Sequence, residues 1–140
     1  MKKVAIVYDF DKTLCTKDMQ EYSLIPALGY DDAGSFWKEV SDFTKENQMD
    51  PISAYLYMLM HKFRMQDIPL RPQMFENLGK AIVLYPGVET WFSRINAFGS
   101  LLGLDVEHYI ISSGMHEIIE STPIAKQFRH IYACRYYYGE

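Results

Sequence analysis

Asp9 and Asp11 stand one residue apart where the apolar run Val4 to Val7 ends, in the stretch "VAIVYDFDKTLCTKD". Extended backbone projects side chains i and i+2 to the same side, so both carboxylates share the C-terminal end of a strand. Two carboxylates that close repel each other unless a cation or a shared proton offsets the charge. A hard divalent ion with oxygen ligands, Mg²⁺ above all, suits such a pair, especially when a phosphate completes its octahedron. An aspartate is also a competent nucleophile toward phosphorus, and a second acid two residues on can protonate a leaving oxygen and then activate water. The plainer alternative is a polar turn in which an aspartate caps the next helix.

A second strand-like run, "VEHYIISSG" from Val106 to Gly114, also ends in small polar residues. If the two strands are parallel neighbours, the Ser112 hydroxyl emerges beside Asp9. Backbone N–H groups of Ser113 and Gly114 at a helix start then form an anion site of the right kind for phosphate.

These residues resemble a family. "DFDKT" at Asp9–Thr13 looks like the first signature, DxDx[TV], of the haloacid dehalogenase-like (HAD) hydrolase superfamily. "YIISSG" is similar to its second signature, and "LYPGVETWFSRI" resembles the segment that leads back from a helical cap in the phosphoserine-phosphatase-like branch. The resemblance implies that Asp9 is the nucleophile and a Mg²⁺ ligand. It implies that Asp11 is the general acid/base, with its backbone carbonyl on the metal. Thr13 would support the loop by hydrogen bonding, and Ser112 would hold the transferring phosphoryl group. Aspartate at the second acidic position is the choice of the family's phosphatases and phosphomutases, so Asp11 points to phosphate-ester hydrolysis.

Two further signatures of that family have no clear counterpart. Lys126 is the only lysine after Gly114; it lies before the third strand, whereas the family's lysine usually comes later, so it reads as a solvated lysine near a helix end with the family role as the alternative. No GDxxxD pair occurs: the acids beyond Ser112 are Glu117, Glu120 and Glu140 alone. The expectation is therefore the N-terminal part of a longer HAD-type phosphatase acting on a small phosphorylated metabolite through an aspartyl-phosphate, with weak or no activity as it stands. The competing expectation is a non-catalytic HAD-like module that binds phosphate or assists assembly.

The elements must put those residues in place. Lys3 to Tyr8 reads as a strand whose continuous apolar run fits a parallel sheet covered on both faces. "CTKDMQEYSLIPALG" predicts a short helix closed by Gly29. Asp31 and Asp32, and Asp50 followed by Pro51, are N-cap signals for two helices, one through Phe36, Trp37, Val40 and Phe43 and one through Tyr55, Leu56, Leu59, Met60 and Phe63. Another helix is predicted from about Pro72 to Ile82, and one more around Val88, Trp91, Phe92 and Ile95. A short helix follows from Met115 to about Ser121, and the "FRHIYACRYYYGE" end reads as a third strand or the start of a hairpin. Strands separated by helices define an α/β fold, a Rossmann-like parallel sheet that is incomplete as it stands. Residues 1–15 and 85–140 form its core, and 16–84 a helical cap over the strand ends where ligands of open α/β sheets bind. Glu21, Tyr22 and Arg64 fall in that cap as weak specificity candidates.

Composition narrows the classes. Of 140 residues, 49% are hydrophobic and 23% charged, and the net charge of −4 argues against a nucleic-acid binder. No apolar run reaches the roughly 20 residues of a membrane span. Two cysteines without metal spacing and the lack of a signal-peptide core lead to the expectation of a cytoplasmic protein with reduced thiols. The four histidines are scattered without ligand spacing. The edge of an unfinished sheet is expected to invite pairing with a second copy.

Overall fold

The computed structural model describes residues 1–139, so Glu140 lies outside the described residues. Three parallel strands, β1 (Lys2–Tyr8), β2 (Leu104–Met115) and β3 (His130–Cys134), form a sheet in the order β1-β2-β3. Among the described residues six α-helices accompany it: α1 (Leu24–Ala27), α2 (Ala33–Glu46), α3 (Pro51–Met65), α4 (Pro72–Glu76), α5 (Val88–Leu101) and α6 (His116–Glu120). The fold is α/β, a Rossmann-like sheet with helical connections. Among the described residues, no helix is long and apolar enough to cross a membrane.

β1 pairs with β2 from Lys2↔Leu104 to Tyr8↔Ile110. That register carries the chain ends of both strands, Asp9 after one and Ser112–Gly114 within the other, to the same edge of the core. β3 continues the sheet in parallel, with Ile110 opposite Ile131.

Both faces of this sheet were expected to be covered, and one is open. Consecutive strands in the order 1-2-3 progress in a single direction, and right-handed crossovers then place both connections on one face. On that face Tyr8 packs against Phe92, His108 and Phe128, and Ile110 is fully buried. On the other, Val7 is 54% exposed, Ile111 60% and Tyr132 54%. The continuous apolar run of β1 therefore has a bare side among the described residues.

A polar chain runs through the covered face. The Trp91 indole N–H donates to the Tyr8 phenol oxygen (2.8 Å). The phenol sits 2.9 Å from His108 Nδ1, and His108 Nε2 lies 2.8 Å from Asn96 Oδ1. Every donor finds an acceptor when the imidazole is neutral with its proton on Nε2. Burial holds the His108 pKa below the ordinary value, in keeping with that state.

Local sequence explains the helices. Asp32 and Asp50 cap α2 and α3 by accepting from the backbone N–H of Ser35 (2.8 Å) and Ser53 (2.9 Å). The two helices bury Phe36 and Val40 on one side and Ala54, Tyr55, Met58, Leu59 and Phe63 on the other. Two predicted helices are shorter than their patterns. The segment after Cys15 forms a 3₁₀ turn at Met19–Glu21 and then α1, which ends at Gly29 with φ of +88°. The segment after Pro72 breaks after α4, because Gly79 is pressed against α6. A Cβ there would lie 2.3 Å from Ser121 Oγ and 2.7 Å from the Ile118 carbonyl oxygen, and the Gly79 N–H donates to that same Ser121 Oγ. The C-terminal stretch supplies β3, and among the described residues 135–139 leave the sheet without forming a hairpin.

Adjacent residues on β2 should respond differently to truncation. Ile110→Ala is expected to cost about 2–5 kcal/mol in denaturant unfolding, whereas Ile111→Ala costs about 0.5 kcal/mol or less. Equal losses would show that the open face is covered in solution.

Candidate functional site

The site begins where β1 ends. Phe10 is fully buried and anchors the turn, its carbonyl accepting from the N–H of Thr13 and Leu14. Asp9 is exposed and Asp11 half-buried. Between them and the turn, Lys12 adopts a left-handed backbone (φ +58°) and reaches out to Asp18, Nζ to Oδ2 at 2.8 Å. The Thr13 hydroxyl donates to Asp9 Oδ2 at 3.2 Å, tying the nucleophile candidate to the loop that follows it.

Asp11 is held differently. Its Oδ1 accepts from the Met19 N–H at 2.8 Å. Burial pushes its carboxyl up to about 7, with the Met19 hydrogen bond opposing the shift and the nearby charges of Asp18 and Asp9 adding to it. An acid in that range exchanges protons near neutrality, as a group that gives and then takes a proton must.

Ser112, Ser113 and Gly114 do not stand at a helix start, as the sequence suggested. β2 continues through Met115, and α6 begins only at His116. The pairing of β2 with β3 shifts register between Ile111 and Met115, and this irregularity turns the strand end. The Gly114 N–H is already committed, donating to Ser112 Oγ at 2.9 Å. Gly114 has a packing reason as well. A Cβ there would meet the Met19 methyl at 2.0 Å, so the tip of the Met19 side chain lies directly against Gly114, while the Met19 backbone N–H serves Asp11. The Met19 sulfur in turn accepts from the Met115 N–H at 3.1 Å.

The helical segment closes over these ends. A cleft of about 470 Å³ is lined by Asp11 and Ser113 from the strand ends, Asp18 and Gln20 from the intervening loop, and Trp37, Lys45 and Tyr55 from α2 and α3. Tyr55 ties the layers together: its phenol donates to the Ser113 carbonyl at 2.5 Å. Trp37 stands edge-on to Tyr55, 5.9 Å between ring centres, and its indole N–H donates to Glu21 Oε1 at 3.0 Å.

The cap candidates fare unequally. Glu21 holds Trp37 in place from behind the cleft wall. Tyr22 turns its phenol to the backbone, receiving the Lys17 N–H (2.8 Å), bonding Thr16 Oγ1 (2.7 Å) and donating to the Val83 carbonyl (3.2 Å). Arg64 lines a different groove with Met60, Asp67 and Leu70, so the end of α3 carries it away from Asp11. Sequence reading missed Asp18, Gln20, Trp37, Lys45 and Tyr55. Asp18 carries a visible signal, a carboxylate seven residues beyond Asp11. Tyr55 and Trp37 occupy apolar helix faces and read as core.

Oxygen donors for a hard cation are present but few. Among the described residues, no group of three or more His, Cys, Asp and Glu side chains gathers around one point. Asp9 and Asp11 remain, and one or two carboxylates completed by substrate phosphate and water are the usual protein share of a Mg²⁺ site. The pair fits the ion on that basis.

No family model matches the chain. A protein of Borreliella burgdorferi, described as an "uncharacterized protein", is 28% identical over 152 residues, covering 95% of this chain. The chain spans half the length of that curated relative. Among solved structures, an L-2-haloacid dehalogenase from Xanthobacter autotrophicus aligns over 95% of this chain and 57% of its own, at 15% identity and a TM-score of 0.48. The L-2-haloacid dehalogenase RSc1362 aligns over 95% and 64%, at 14% identity and a TM-score of 0.46.

Burial of Asp11 has a consequence for stability. Its folded pKa lies above the unfolded value, so its contribution is fully present below about pH 4 and is lost as pH rises through about 7. Asp11→Asn keeps the acceptor for Met19 and removes the charge. Without divalent cations it is expected to raise the melting temperature at pH 8 and change it little at pH 5; a pH-independent effect would count against a raised pKa. Tyr55→Phe leaves the Ser113 carbonyl without its donor and should cost about 1–3 kcal/mol in denaturant unfolding.

Proposed function

We propose that this chain carries the nucleophile half of a Mg²⁺-dependent phosphatase that acts on a small phosphorylated metabolite. The supporting observation is the cleft, which joins Asp11 from the end of β1 and Ser113 from the end of β2 to the helices above them. The HAD-like signatures "DFDKT" and "YIISSG" occupy those two strand ends.

In this reading an Asp9 carboxylate oxygen attacks phosphorus while the ester P–O bond breaks. Asp11, protonated near neutrality, gives its proton to the departing alkoxide. The Asp11 carboxylate then takes a proton from water, whose oxygen attacks the aspartyl-phosphate, releasing inorganic phosphate and restoring Asp9. The Ser112 hydroxyl donates to a phosphoryl oxygen, and the Thr13 hydroxyl keeps Asp9 aimed along the line of attack. The Asp9 carboxylate and the Asp11 backbone carbonyl would hold Mg²⁺, which neutralises charge on the phosphoryl group. Arginine or lysine side chains that would share this task are sparse: among the described residues Lys45 is the one cation lining the cleft.

The chain with Mg²⁺ is expected to hydrolyse p-nitrophenyl phosphate slowly, and Asp9→Asn to lower the rate at least about 100-fold. Beryllofluoride, which mimics the aspartyl-phosphate, should give a bound ¹⁹F signal with Mg²⁺ and none after Asp9→Asn. Activity that survives the substitution overturns the assignment of Asp9, and absence of both signals favours a phosphate-binding module without chemistry.

A further inference from the structure

The cleft has two unlike ends. Asp11 and Asp18 line it where β1 gives way to the intervening loop, and Ser41 and Lys45 line it from α2. Residues four apart share a helix face, so the Ser41 hydroxyl and the Lys45 ammonium stand one above the other. Both residues are exposed, so a ligand in the cleft reaches them without any rearrangement of its wall.

Neither group is committed among the described residues. The other lysines of the α2–α3 hairpin each hold a carboxylate: Lys38 lies 2.6 Å from Asp42 Oδ2, and Lys62 lies 2.8 Å from Glu39 Oε2. Across the cleft, Lys12 holds Asp18 at 2.8 Å. Of these lysines, Lys45 is the one in no ion pair, and it is the one that lines the cleft. Thr44 turns its hydroxyl back to the Val40 carbonyl at 2.6 Å, whereas the Ser41 hydroxyl makes no such bond. A cation in the last turn also answers the dipole of α2, but the dipole asks nothing of Ser41.

Position sets the reach. Ser41 and Lys45 follow Trp37 by one and two turns, about 6 and 12 Å along the helix. Trp37 stands edge-on to Tyr55, and the Tyr55 phenol reaches the Ser113 carbonyl at the strand ends. Two aromatic side chains therefore lie between the acids that would carry the chemistry and the cationic end of the cleft.

We propose that Ser41 and Lys45 form an anion subsite for a second acidic group at the far end of the substrate. The cleft then selects phosphomonoesters in which a flat carbon skeleton separates the phosphate from a carboxylate or a second phosphate, over esters whose leaving group ends in carbon. The proposal rests on the phosphatase reading above and adds the substrate class to it. Lys45 supplies charge, Ser41 a directed donor, and Trp37 and Tyr55 the walls for the skeleton.

The test uses ligands that cannot be hydrolysed. With Mg²⁺ present, 4-(phosphonomethyl)benzoate, 1,4-bis(phosphonomethyl)benzene and 4-methylbenzylphosphonate are titrated calorimetrically into the wild-type chain, Lys45→Gln, Ser41→Ala and Lys80→Gln, each checked for folding by circular dichroism. The wild type is expected to bind the two doubly acidic ligands at least about 10-fold more tightly than the methyl one, the scale of one charge-assisted hydrogen bond. The tighter of the two tells a carboxylate from a phosphate. Lys45→Gln should bring all three within about threefold, leaving the methyl ligand unmoved, and Ser41→Ala should weaken the doubly acidic pair about threefold. Lys80, which bonds Asn77 outside the cleft, controls for net charge, and Lys80→Gln should keep the wild-type preference. Equal binding in the wild type, a preference that survives Lys45→Gln, or a preference lost in Lys80→Gln overturns the proposal. So does an equal loss for the methyl ligand in Lys45→Gln, because Lys45 then serves the phosphoryl group itself. If Lys45→Gln does not fold, the wild-type comparison and Ser41→Ala decide. Binding without preference sinks the anion subsite alone. Failure of all three ligands to bind, together with no p-nitrophenyl phosphate hydrolysis, sinks the phosphatase reading and the proposal with it.

Discussion

The parallel register of β1 on β2 is the constraint on which everything else depends. Lys2 faces Leu104 and Tyr8 faces Ile110, so the two strands finish side by side with both chains running the same way. A parallel pair cannot be joined by a tight turn, and the connection must cross the sheet. The long helical segment exploits that necessity: it leaves from the end of β1, rises over the strand ends as α1 to α4, and returns through α5. Slipping the register by one residue would flip Tyr8 away from Phe92 and His108 and turn Asp9 and Asp11 to the wrong side.

Two contacts tie the helical segment to the ends of β1 and β2. Met19 fills the room that Gly114 leaves, and its backbone N–H donates to Asp11. Tyr55 spans from α3 to the Ser113 carbonyl. Tyr136, beyond β3, donates to the Leu56 carbonyl at 2.6 Å and fastens the same helix from the other side. Asp11 and Ser113, each held by a group from the helical segment, both line the cleft.

How much of this is legible in the sequence differs by element. The strand before Asp9, the two capped helices and the strand before Ser112 follow directly from apolar runs and cap residues. The breaks within the predicted helices do not, because Gly79 stops a helix only where Ser121 of a distant segment crowds it. The open face was hidden for a similar reason: Val4 to Val7 look the same whether or not anything covers them. At the site, Asp9, Asp11, Thr13 and Ser112 announce themselves by type and spacing. Gln20 and Tyr55 do not, since a glutamine in a turn and a tyrosine on an apolar helix face acquire meaning only from what lies opposite them. The position of Ser113 and Gly114 within a strand, rather than at a helix start, depends on the register shift against β3.

The separation of β1 from its partner also sets the order in which the molecule can assemble. Bringing Lys2 to Leu104 closes a loop through most of the chain, an entropic cost that must be met before any sheet contact is gained. The α2–α3 pair needs only short-range contacts and carries its own caps at Asp32 and Asp50. The helical hairpin can therefore form while β1 is still unpaired. Asp11, at the end of β1, meets the Met19 N–H only in the paired sheet, so its exchange of water for that donor is tied to the long-range pairing of β1 with β2.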